Sequence, residues 1–108
     1  MNARPRVADV LPDLAVLLRD GLETLGRPEL VRQLDGLEIT AACACENELC
    51  GSFYTVTPMR RWFRRGDEVT IDDPGGAVIL DVVGGEIAYV EVLGRAGVRS
   101  AVRQAAGG

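Results

Sequence analysis

The 108-residue chain contains no histidine and no lysine; all twelve of its basic residues are arginine. Without imidazole it has no side chain that titrates near neutral pH unaided, and no histidine metal ligand. Without lysine, Schiff-base chemistry and the phosphate-loop lysine are excluded. Few enzyme classes survive both absences, so a non-catalytic protein is expected. No apolar run approaches the ~20 residues a membrane-spanning helix needs, and no membrane partner is expected. The start, Met1 to Val10, carries arginines but no uninterrupted apolar stretch of the secretory type. A cytoplasmic location is the expectation.

What is present fits one globular domain. Hydrophobic residues make up 47% and charged residues 26%, an ordinary balance for a chain long enough to bury a core unaided. The net charge of −4 argues against general nucleic-acid binding. The charge is unevenly spread: residues 59–66 hold four Arg and no acid, residues 67–94 hold seven acids and no base, and residues 95–108 hold three Arg and no acid.

The clearest structural signal is 76–94. Val78–Val83 and Glu86–Leu93 have strand composition, and Gly84-Gly85 between them suits a two-residue turn that needs positive φ. That turn sets a register in which Val83 faces Glu86, Val82 faces Ile87, Asp81 faces Ala88, Leu80 faces Tyr89 and Ile79 faces Val90. One face then carries Val78, Leu80, Val82, Ile87, Tyr89 and Leu93, the expected core. The other carries Ile79, Val90 and Val92. It is too apolar for full solvation, so it is expected to be covered by the chain or to form a homodimer interface.

Upstream, Leu11, Leu14, Leu18, Leu22 and Leu25 recur at helical spacing and predict a helix ending near Leu25, with Pro12 in its first turn. Pro28 to Gly36 predicts a second helix. From Leu37 to Cys45 the pattern turns to period two, with Ile39, Ala41, Cys43 and Cys45 on one side. Cys50–Thr57 reads as the paired strand, across a loop at residues 46–49. Glu68–Ile71 is a further short strand, and Ala96–Ala105 a final helix. On that helix Arg95, Arg99 and Arg103 form a stripe read as its solvated face. The fold expected is α+β: two N-terminal helices, an antiparallel sheet of four to five strands, and a short C-terminal helix.

Two stretches are candidates for function. Cys43-x-Cys45-x4-Cys50 places two thiols on one strand face and a third across the hairpin, so the sulfurs can converge. Three readings follow. The thiols are buried small hydrophobes; or they bind zinc with a fourth ligand from Glu46, Glu48, water or a second subunit; or Cys45 and Cys50 are a redox pair. Against the last, no Lys or His is at hand to lower a thiol pKa, and Glu46 and Glu48 would raise it. The second stretch, Arg60, Arg61, Trp62, Phe63, Arg64 and Arg65, has the composition of a partner-binding hot spot or of a nucleic-acid stacking patch. Its alternative is a loop whose aromatics join the core and whose arginines pair with Asp67, Asp72 and Asp73.

Val78-ILDVVGGEIAYVEVL resembles the C-terminal hairpin of a family of small bacterial proteins of unknown function, in which an Ile-Leu-Asp strand, a Gly turn and an Ile-x-x-Ile-Glu strand follow one another. Cys43-A-Cys45-ENEL-Cys50-GSFYT is similar to a cysteine-bearing strand pair in uncharacterised proteins of high-GC bacteria. Both resemblances imply a small bacterial protein and carry no activity. The expected function is a binding or regulatory module acting through protein–protein contacts, with an unknown partner or with itself. The alternative is a small zinc- or thiol-based protein centred on Cys43, Cys45 and Cys50. No other cofactor is expected.

Overall fold

A computed structural model describes residues 4–56, 66–95 and 97–107. Strands β4 (Val78–Val83) and β5 (Glu86–Val92) form its central hairpin. Gly84 and Gly85 have φ of 60° and 81°, the positive values a tight hairpin turn demands. Val83 pairs with Glu86 and Val82 with Ile87, as the turn predicts.

Beyond that point the register departs from expectation. Asp81 pairs with Tyr89, Leu80 with Val90 and Ile79 with Glu91, so Ala88 is an extra residue in β5. The cause lies on the neighbouring strand. The Thr55 hydroxyl donates to the Ile87 carbonyl at 2.6 Å, and the Thr55 N–H donates to the Ala88 carbonyl at 2.9 Å. These bonds hold the backbone in a bulge, which reverses the facing of everything after it. Val90 and Val92 therefore join Ile87 in the core, fully buried. Tyr89 and Leu93, expected in the core, do not: Tyr89 is half-buried and Leu93 is exposed. The apolar face of Ile79, Val90 and Val92 is not assembled.

Three further strands complete an antiparallel sheet: β1 (Ala41–Ala42), β2 (Phe53–Tyr54) and β3 (Asp67–Ile71), in the order β1-β2-β5-β4-β3. Ladder pairing is shorter than the two predicted cysteine strands. Residues 37–43 are instead served by two partners in turn: Ile39 N–H donates to the Pro5 carbonyl, and Thr40 N–H to that of Tyr54. Ile39 and Ala42 both pack on the core, which strict alternation forbids.

Helices cover one face of the sheet. The predicted leucine helix is α2 (Pro12–Thr24), and a separate helical turn, α1 (Val7–Val10), precedes it. Proline at the first position of α2 lacks the N–H that would continue the ladder from α1. Leu14, Leu18 and Leu22 of α2 are buried, but Leu25 lies past its end and is half-exposed. The predicted second helix is a single turn, α3 (Pro28–Val31), followed by a 3₁₀ turn at Leu34–Gly36. Between them Gln33 serves the sheet. Its amide donates to the Gly85 carbonyl at 2.7 Å and its carbonyl accepts from Ile87 N–H at 2.9 Å, so it clamps the hairpin turn. The last helix, α4 (Val98–Ala105), inserts Val98 and Val102 into the core. One continuous apolar cluster joins these helices to the inner face of the sheet. Among the described residues, no helix is long and apolar enough to cross a membrane.

Candidate metal centre

The cysteine hairpin lies at the β1–β2 end of the sheet. Cys43 N–H donates to the Ser52 carbonyl at 3.0 Å, which continues the pairing of Ala42 with Phe53. Asn47 shapes the turn: its side-chain oxygen accepts from Leu49 N–H at 2.9 Å and its carbonyl from Cys50 N–H at 3.0 Å. Cys50 then pairs with Leu93 beside the end of β5. Gly51 sits directly under α4, where an added Cβ would lie 2.7 Å from a Val98 methyl. The hairpin is thus pinned to the last helix by a contact only glycine permits.

This folding brings the three sulfurs together. The Sγ atoms of Cys43, Cys45 and Cys50 all lie within 4.8 Å of one another. All three thiols are free; Cys50 is buried, while Cys43 and Cys45 are half-buried. The predicted convergence is present, although the ladder expected to produce it spans two residues per strand.

The arginines of α4 are not its solvated face. Arg99 donates to the carbonyls of Asn47 at 2.6 Å, Cys50 at 3.0 Å and Cys45 at 3.1 Å. Arg103 donates to the carbonyl of Cys45 at 3.0 Å and reaches that of Cys43 at 3.5 Å. Two guanidinium groups therefore bind the carbonyls of the thiol-bearing turn. Spacing of four residues places both on one side of the helix, but only the tertiary contact shows what that side meets. Arg95 acts elsewhere. It donates to Asp73 at 2.7 Å and to the Gly76 carbonyl at 2.9 Å, bracing the β3–β4 turn.

Electrostatics single out Cys45. Hydrogen bonds from the Cys50 and Cys43 thiols favour its thiolate, helped by the backbone at Asn47 and by the Arg99 guanidinium 3.9 Å from its sulfur. The Cys45 pKa is lowered to about 7. No Lys or His takes part; the neighbouring thiols, the Asn47 backbone and Arg99 lower it instead, which corrects the expectation that Glu46 and Glu48 would raise it. Burial pushes the Cys50 thiol the other way, against hydrogen bonds from Ser52 that favour its thiolate. Tyr89 adjoins the site; burial, then its hydrogen bond to Cys43, holds its phenol well above the ordinary value. Its ring meets that of Tyr54 with centroids 4.7 Å apart.

Glu46 and Glu48, offered as a fourth ligand, are exposed and do not join the sulfur cluster. Arg60, Arg61, Trp62, Phe63, Arg64 and Arg65, the predicted partner-binding stretch, lie outside the described residues. Compared with protein-family models, curated proteins and solved structures, the chain gives no match in any of the three.

Proposed function

We propose that the chain is a small metal-binding protein in which the thiolates of Cys43, Cys45 and Cys50 hold one thiophilic ion at an exchangeable site. The observation that carries this reading is the approach of three sulfurs to within 4.8 Å of one another. Thiolates select soft or borderline ions over magnesium and calcium. Sulfurs bound to one zinc ion stand about 3.8 Å apart, from a Zn–S distance of about 2.3 Å, so a small inward adjustment suffices. None of the three cysteines belongs to the apolar cluster that unites helices and sheet. The fold then does not wait for the ion, which suits reversible loading better than a structural staple. Packing of free thiols as small hydrophobes accounts for Cys50 but leaves the half-exposed Cys43 and Cys45 unexplained.

Action through protein–protein contacts is compatible with this reading. Leu49 and Leu93 are 66% and 45% exposed. The two are neighbours through the bond from Gly94 N–H to the Leu49 carbonyl. An apolar border of this kind fits a partner that delivers or receives the ion.

Thiol counting tests the proposal. The reduced, metal-free chain should present three thiols to a chromogenic disulfide, and loading with zinc or a softer ion should protect them until a chelator is added. Three reactive thiols in the presence of every such ion would refute it.

A further inference from the structure

The donor set itself narrows the choice of ion. The sulfurs of Cys43, Cys45 and Cys50 are grouped without a carboxylate among the described residues. The Arg99 guanidinium lies 3.9 Å from Cys45 Sγ. A guanidinium cannot ligate a metal. A closed structural zinc site takes four protein ligands, and this site offers three and a cation.

Resting on the metal-binding reading, we infer that the site is three-coordinate and built for a monovalent thiophilic ion, copper(I). Soft thiolate donors suit Cu(I). Three thiolates around Cu(I) carry a net charge of −2, against −1 around Zn(II). The two guanidinium groups gathered on the turn, Arg99 and Arg103, supply +2 beside it. Binding forms three Cu–S bonds and passes the thiol protons to solvent. No electron is transferred, and no further co-reactant enters.

The test uses the whole chain, reduced and free of oxygen, with Cu(I) supplied against a cuprous chelator and, separately, Zn(II) supplied against a chelator of nanomolar affinity. The expected result is one copper per chain with three sulfur neighbours in its X-ray absorption spectrum, and zinc surrendered to its chelator. Cys45→Ser and Cys43→Ser should each weaken Cu(I) binding by more than the roughly 100-fold that loss of an outer-shell partner costs. Both residues are half-exposed and lie outside the apolar cluster, so the variants stay folded, as circular dichroism would verify. Retention of zinc, or copper bound by two sulfurs, would overturn this inference and leave the metal-binding proposal standing. Failure to bind either ion would overturn both.

Discussion

Leu18, Leu22, Leu30 and Phe53 have no exposed surface, and the cluster they form runs unbroken from α1 to α4. Just before β2 the half-buried Cys43 and Cys45 sit in a turn held through its carbonyls by two arginines. The first region is non-directional: burial of aliphatic surface stabilises it wherever the side chains fit. The second is directional. Each bond from Arg99 and Arg103 fixes a carbonyl, and the carbonyls fix where the thiols point. A protein that needed its cysteines as core would have put them in the first region. Cys43 and Cys45, placed in the second, stay reachable, while Cys50 is buried at its edge.

Substitutions in the core should cost most. Phe53→Ala should destabilise by about 3–5 kcal/mol, the usual range for a fully buried aromatic, with the metal stoichiometry of the surviving folded fraction unchanged. Chemical denaturation reads the first and native mass spectrometry the second. Gly21→Ala is next. An added Cβ would sit 2.5 Å from an Ile71 methyl, so overpacking of about 1–3 kcal/mol is expected, reduced by the roughly 1 kcal/mol that alanine gains over glycine in a helix. A stabilised variant would show that α2 does not press on β3 as described.

Arg99→Ala probes the directional region. It removes donors to three carbonyls of the cysteine turn, and Arg99 is not a member of the apolar cluster. Metal affinity should fall about 10- to 100-fold, as for other losses outside the first shell, while the far-ultraviolet spectrum stays that of the parent. Unfolding of this variant would mean that the arginines hold the fold itself. A subtler effect is the pH profile of one thiol. Because the Cys45 pKa is lowered to about 7, its thiolate persists to lower pH than an ordinary thiol's. Alkylation mapped by peptide should therefore inflect near 7 at Cys45, whereas buried Cys50, whose pKa is raised, should react only at higher pH. Equal profiles would remove Cys45 from its place as the acceptor of its neighbours' hydrogen bonds.

The α+β class and antiparallel sheet were legible because period-3.6 and period-2 apolar patterns report burial directly. The Gly84-Gly85 turn was legible because its conformation needs those residues. The register beyond it was not. Ile87-Ala88-Tyr89-Val90 is a continuous apolar run whose pattern does not mark a break, and the bulge comes from Thr55, thirty-three positions from Ala88, donating to two successive carbonyls. The convergence of Cys43, Cys45 and Cys50 could be anticipated from hairpin spacing. The parts of the site that act on them could not. Arg99 and Arg103 read as a solvated stripe, since periodicity says which residues share a face and is silent on what the face meets. Gln33 is a like case, a single amide beside a short helix that serves the sheet turn.

If the three thiols form a metal site separate from the fold, removing all of them should abolish the ion and spare the structure. Native mass spectrometry can compare the parent chain with the Cys43→Ser, Cys45→Ser, Cys50→Ser triple variant, both purified in reductant without chelator. One ion per parent chain is expected, none in the variant, and the same narrow charge-state distribution for both. A bare parent chain, or a variant with the broad distribution of an unfolded protein, would contradict a separate metal site.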